Sequence, residues 1–351
     1  MSVLVDRGEQ SALWERGHYS PAPNHVTELK QLQQTEPMLT VAFVNNMPDA
    51  AVEDTEAQFL GLLTEAANGR PLHVKLYSLP KVPRSERTRE YLAHNYATLD
   101  ELLNHRLDGV IVTGTEPKQA DLRQEPYWEE LCTLFDWAEQ NTSSAVLSCL
   151  AAHAGALYGD GILRNPLKDK RFGVFEQQVL NSHPLTQNVS NPTRNPHSRW
   201  NELREADLQV CGYSVLTRSS EAGVDLFVKQ KRNSLFVHFQ GHPEYGGLTL
   251  LKEYRRDIKR YLRHERETYP PVPRGYFDES AIRLVKDFEQ AAKRQQSDEI
   301  MEKFPEADLE GSLENTWRAS AVRIYRNWLD HLLSRHKSEA KLVAVARASR
   351  I

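Results

Sequence analysis

From Met38 onward, short apolar runs alternate with segments in which apolar residues recur every three or four positions. MLTVAFVNN is an apolar run closed by polar residues and predicts a buried strand. EDTEAQFLGLLTEAA follows it with Phe59, Leu62, Leu63 and Ala66 at helical spacing. LHVKLYSL alternates as a strand does, and a polar, helical connection leads on to LDGVIVTGT, an apolar run closed by Gly114. A loop and a helix containing YWEELCTLFDWAEQ come next. SSAVLSCLAAHAGALYGDG then reads as a strand, Ala145 to Ser148, a turn at Cys149 and a helix of small residues. Strands alternating with helices at this spacing predict an α/β fold with a mostly parallel sheet flanked by helices and joined by right-handed crossovers.

Beyond Gly173 the chain is richer in strands, with FGVFEQQVL, LQVCGYSVLTRS, VDLFVKQ and NSLFVHFQG as candidates. LTLLKEYRRDIKRYLRH predicts a helix, and PPVPRGY at 270–276 a linker. SAIRLVKDFEQAAKR and TWRASAVRIYRNWLDHLL predict amphipathic helices, the second with a stripe of Trp317, Val322, Tyr325 and Leu329. Residues 1–37 are polar and carry Pro21, Pro23 and Pro37, which reads as an arm wrapped onto something else. The expected organisation is an N-terminal arm over 1–37, a catalytic domain over 38–265 and a helical C-terminal extension over 266–351, packed on the catalytic domain or on a second subunit.

Charge narrows the partners. The 351 residues carry a formal net charge of −4, so no global positive field attracts nucleic acid or an anionic membrane. The Lys and Arg run at 252–266 reads as a solvated helix face. Cys132, Cys149 and Cys211 lie far apart with no CxxC spacing, against a metal site or a disulfide framework and in favour of a reducing compartment. With no apolar stretch of membrane-spanning length and no leader-like N-terminus, the expectation is a cytoplasmic protein.

Two segments carry chemistry. Cys149 stands where a buried strand meets a helix that begins Leu150-Ala151-Ala152-His153. A thiolate there gains from the positive end of the helix dipole, and the Leu150 amide and an amide of the Gly114 loop are candidates to receive an oxyanion. The run SLFVHFQG delivers His242-Pro243-Glu244 just past the C-terminal end of a strand, where open α/β sheets place their ligands. A histidine there can deprotonate the thiol, and a carboxylate two residues on can fix its tautomer. A buried structural cysteine and a loop histidine are the alternative readings of the same residues.

Taken with NNMPDAAVEDTEAQFLGLL, DGVIVTG, PYWEEL, KDKRFGVFE, PHSR, GHPEY, EYRRD and NTWRASAVRIYRNWL, these segments resemble the homoserine O-succinyltransferase and O-acetyltransferase family. That family belongs to the class I glutamine amidotransferase-like superfamily, and the match runs in order from about residue 38 to 333. The resemblance implies a flavodoxin-like core and ping-pong acyl transfer through Cys149, His242 and Glu244. It also implies L-homoserine and succinyl-CoA as co-substrates, with no other cofactor, and a homodimer. It places Lys170, Ser198 and Arg256 in the substrate pocket, leaving Arg255 as the exposed neighbour, and puts Lys118 at the position that sorts acyl donors. There a lysine favours the distal carboxylate of a succinyl group over an uncharged acetyl group. The chain departs from the family pattern at Asp49-Ala50-Ala51, where a lysine pair is common, and at Leu150 and His153, where Trp and Gln are usual. Acetyl-CoA as donor, a glutaminase or γ-glutamyl hydrolase, and a non-catalytic binding module are the competing readings.

Overall fold

A computed structural model of the chain describes residues 3–7, 10–15, 17–21 and 37–348. Its strands and helices begin β1 (Val3–Arg7), β2 (Gln10–Glu15), β3 (His18–Pro21), β4 (Leu39–Val44), α1 (Val52–Ala67), β5 (Leu72–Tyr77), α2 (Glu86–Asn95) and α3 (Leu99–Leu103). They continue through β6 (Gly109–Val112), α4 (Trp128–Asn141), β7 (Ser144–Ser148) and α5 (Leu150–Asp160) to β8 (Asn165–Val179) and β9 (Thr193–Glu202). After α6 (Glu205–Val210) come β10 (Ser214–Val215), β11 (Thr217–Ser219), β12 (Gly223–Val224), β13 (Leu226–Lys231) and β14 (Ser234–Phe239). The chain ends in α7 (Thr249–Leu262), α8 (Glu279–Arg294), α9 (Glu306–Ser312) and α10 (Arg318–Ala348).

Strands β5, β4, β6, β7 and β14 lie side by side and parallel, in the 2-1-3-4-5 order of a flavodoxin-like doubly wound sheet. Their apolar runs are continuous because both faces are covered. Val41, Phe43, Ile111, Val146 and Val237 face one apolar cluster with Phe59 and Leu63 of α1. Ala42, Val44, Val110, Val112, Ala145 and Leu147 face the other, with Leu134 and Phe135 of α4 and Leu150 and Ala151 of α5. The sheet extends past β14 through antiparallel β13 and β10. At the other edge β1 adds in parallel to β5 and is followed by antiparallel β2 and β3.

The C-terminal helix α10 lies on the first face as part of the core. Tyr325, Trp328, Leu329 and Leu332 are buried there, and Trp328 Nε1 donates to Ser144 Oγ at 2.9 Å. The helix approaches so closely that a Cβ on Gly109 would stand 2.9 Å from both Leu332 and Trp328. A third apolar cluster joins α7, α8 and Trp317.

Three expectations need correcting. In LQVCGYSVLTRS the first half is the end of α6, not a strand: Glu205 and Asp207 favour the N-terminal turn, Leu208 supplies the buried face, and Gly212 at φ 79° turns the chain out. Only the short β10 and β11 follow. The segment 270–276 is not a free linker, since Arg274 pairs with β8 through Val174 N to Arg274 O at 2.7 Å and Arg274 N to Phe172 O at 3.0 Å. The basic run at 252–266 is not simply solvated: Lys252 reaches Asp54, Arg255 Glu306, Arg260 Glu116 and Arg263 Asp298.

Candidate active site

Cys149 follows β7 directly and has φ 51° and ψ −107°, a conformation that L-residues rarely hold. The constraint is local. Its amide donates to Phe239 O at 2.7 Å, tying the end of β7 to the end of β14, while its carbonyl accepts from His153 N at 3.2 Å as the first bond of α5. The side chain is thereby held at the N-terminus of α5, partly exposed. Gly114, after β6, packs against this elbow, where a Cβ would meet Leu150 N at 2.9 Å and Ser148 O at 3.2 Å. Only glycine leaves the Leu150 amide open.

His242 and Glu244 arrive from β14, the neighbour of β7. His242 N donates to Pro196 O at 2.8 Å, and the ring Nδ1 donates to Glu244 Oε1 at 2.8 Å, which leaves Nε2 for Cys149. Burial alone would lower the His242 pKa. The Cys149 thiolate and the Glu244 carboxylate, each also hydrogen-bonded to the ring, outweigh it and raise the pKa well above 6.5. The site can therefore hold His242 as an imidazolium.

Tyr245 stacks on His242 with ring centroids 4.3 Å apart, and its hydroxyl donates to Glu253 Oε1 at 2.6 Å. Around Glu253 the structure gathers all three residues expected in the substrate pocket. Ser198 Oγ donates to its Oε2, Lys170 Nζ lies 3.3 Å from the same oxygen, and Arg256 lies 3.5 Å away. Lys170 also pairs with Asp257 at 3.1 Å, as does Arg256 at 3.2 Å. Burial would raise the Glu253 pKa, but Lys170, the Ser198 and Tyr245 hydroxyls and Arg256 hold it below its ordinary value. The ribbon of β8 and β9, with Phe172 opposite Ser198, carries Lys170 and Ser198 to α7. Arg256 is the half-exposed arginine of its pair, whereas Arg255 is more enclosed and bound to Glu306, which reverses the expectation for these neighbours.

Glu253, Asp257 and Tyr245 escaped sequence reasoning. Glu253 was findable, since it precedes Arg256 by three residues on one helix face. Lys118 stands apart from these groups: its side chain is exposed, while its amide donates to the buried Glu125 carboxylate at 2.6 Å. Glu116, on the same loop, faces Arg260 at 3.7 Å. At the departures from the family pattern, Asp49 accepts from Ser85 N at 2.9 Å at the start of α2. His153 is buried, its pKa pushed down to about 3 first of all by desolvation, and shares a 3.0 Å hydrogen bond with Gln240.

Cys149, His242 and Glu244 at the C-terminal ends of neighbouring strands in a 2-1-3-4-5 sheet mark a doubly wound α/β protein with its candidate site at the strand ends. Within that class, the family model for homoserine O-succinyltransferase matches residues 24–338, and the chain belongs to that family. It is 42% identical over 297 residues to the homoserine O-succinyltransferase of Rhodopseudomonas palustris, covering 85% of this chain and 89% of the relative. The Bradyrhizobium japonicum enzyme of the same name is 41% identical over 298 residues, covering 84% and 90%. A glutamine amidotransferase structure from Methylobacillus flagellatus superposes with a TM-score of 0.48 at 14% identity, covering 84% of this chain and 95% of the other. Among the described residues, no helix is long and apolar enough to cross a membrane.

Proposed function

We propose that this chain is a homoserine O-succinyltransferase that works by ping-pong transfer through Cys149. The observation that carries the reading is the Cys149 elbow facing the His242–Glu244 pair, with the Glu253 pocket one stacked ring away, in a member of this family.

In the first half-reaction the Cys149 proton passes to His242 Nε2 and the thiolate attacks the thioester carbon of succinyl-CoA. The oxyanion is received by the Leu150 amide and an amide of the Gly114 loop. Collapse breaks the carbon–sulfur bond to coenzyme A, whose thiolate takes the proton from His242. In the second, the hydroxyl of L-homoserine gives its proton to His242 and attacks the acyl-cysteine, and collapse restores the Cys149 thiolate beside the imidazolium. Glu244 orients His242 and stabilises its charge.

L-homoserine presents one anion and one cation. Arg256, half exposed beside Glu253, takes the α-carboxylate in a planar two-point contact. The ionised Glu253 takes the α-ammonium, positioned by Tyr245, Ser198 and Lys170. Lys118, exposed on the loop after Gly114, draws the polyanionic donor toward the cleft. A homodimer in the cytoplasm, with all three cysteines reduced, belongs to the same reading. Light scattering on the pure protein tests the dimer.

The decisive assay incubates the pure protein with L-homoserine and either succinyl-CoA or acetyl-CoA and identifies the product by mass. O-succinylhomoserine is expected. A product formed only from acetyl-CoA would make the chain an O-acetyltransferase, and ammonia or glutamate release from glutamine would make it an amidohydrolase.

A further inference from the structure

We propose that Arg164 reads the distal carboxylate of the acyl donor, an inference that rests on the acyl-transfer reading above. Arg164 stands between the end of α5 and β8. One of its terminal nitrogens donates to Gln119 O at 2.7 Å and to Ala120 O at 2.9 Å. From the other side, Glu125 accepts the amides of Lys118 and Gln119, both at 2.6 Å. The loop that starts at Gly114, against the Cys149 elbow, is thus clamped between an acid and a cation, and its geometry is set independently of the exposed Lys118 side chain.

The clamp does not use the whole guanidinium. Arg164 Nε is buried with no hydrogen-bond partner, and no carboxylate lies within ion-pairing distance of Arg164 among the described residues. The nearby acids are engaged elsewhere, Asp121 by Arg123 and Glu125 by the two amides. Burial lowers the Arg164 pKa, against the charges of Tyr127, Glu125, Cys149 and Asp121 in that order. The guanidinium therefore keeps unspent donor capacity beside the loop whose first residue, Gly114, packs against the Cys149 elbow. An extended succinyl group carries its second carboxylate on the order of 4 Å beyond the thioester carbon. A carboxylate arriving there completes Arg164 as an ion pair, and an uncharged acyl chain leaves it as it was.

The test compares succinyl-CoA with butyryl-CoA, which has the same four-carbon chain without the distal carboxylate, in the full-length protein with L-homoserine as acceptor. The wild type should favour succinyl-CoA in kcat/KM, and Arg164→Gln should shrink that preference by about ten- to hundredfold, through loss of the succinyl rate. Arg164→Lys should retain part of the preference, and Lys118→Ala should shift it less than Arg164→Gln does. Equal losses with both donors in Arg164→Gln would show that Arg164 only holds the loop and would overturn the proposal. So would a preference that survives in Arg164→Gln and collapses in Lys118→Ala. A wild type that transfers no acyl group at all would instead remove the reading beneath it.

Discussion

The proposed catalytic centre and the proposed acceptor pocket adjoin one another yet are built on different principles. Cys149, His242 and Glu244 stand at the ends of two neighbouring parallel strands, and one backbone hydrogen bond, from Cys149 N to Phe239 O, fixes the spacing of those ends. Each member has a single proposed task. The acceptor pocket is instead assembled across an antiparallel ribbon and a helix, and its charges compensate one another: Glu253 and Asp257 share Lys170 and Arg256. Loss of one group in the first region breaks a relay. In the second, it leaves the remaining ions to redistribute.

That contrast ranks the expected effects of substitution. Glu244→Gln should lower kcat by roughly a thousandfold to ten-thousandfold, as expected when the group orienting a catalytic histidine is lost. It should also move the His242 titration, followed by ring-carbon NMR, to lower pH, because one of the two anions that raise it is gone. A drop below about tenfold would reduce Glu244 to a local charge and dissolve the contrast.

Gly114→Ala comes next, at about a hundredfold or more in kcat for both half-reactions, because the added Cβ would press on the Leu150 amide. Stopped-flow release of coenzyme A and steady-state turnover should fall together. A fall in only one would place the oxyanion donors elsewhere.

The acceptor pocket should give smaller and more selective effects. Glu253→Gln should raise KM for L-homoserine by about ten- to hundredfold, and Arg256→Lys by about tenfold, while the burst of coenzyme A from succinyl-CoA alone persists. Loss of the burst in either variant would assign that residue to the donor site or to the fold. The smallest catalytic effect belongs to Gly109→Ala, far from both regions. Its Cβ would collide with Trp328 and Leu332, so stability should fall by about 1–3 kcal/mol with turnover per folded molecule unchanged. Denaturant melts separate the two quantities.

The same contrast explains what could be read in the sequence. The parallel core was legible because strands covered on both faces are continuous apolar runs, and the proximity of Cys149 to His242 and Glu244 because they follow two of those runs, at Ser148 and Phe239. That Lys170, Ser198 and Arg256 lie together was legible only through family resemblance. Lys170 and Ser198 meet Glu253 through the register of β8 on β9, with its irregularity between Pro166 and Arg171, and local pattern does not encode register. Glu253 looked like one more charge on an amphipathic helix. Half of LQVCGYSVLTRS misled because Leu208 fits a strand pattern as well as a helical one over so short a span. The clamp on the Gly114 loop was invisible for a related reason: Glu125 and Arg164 act on backbone atoms, and Arg164 is remote in sequence from the loop.

The central claim is that Cys149 carries the acyl group between the two substrates. It is tested most directly by intact-mass measurement of the protein mixed with succinyl-CoA in the absence of L-homoserine, followed by peptide mapping. The account predicts one added succinyl group per chain, located on Cys149, discharged as O-succinylhomoserine when L-homoserine is supplied and absent from a folded Cys149→Ala variant. Full turnover by that variant, or a discharge-competent adduct on any other residue, would contradict it.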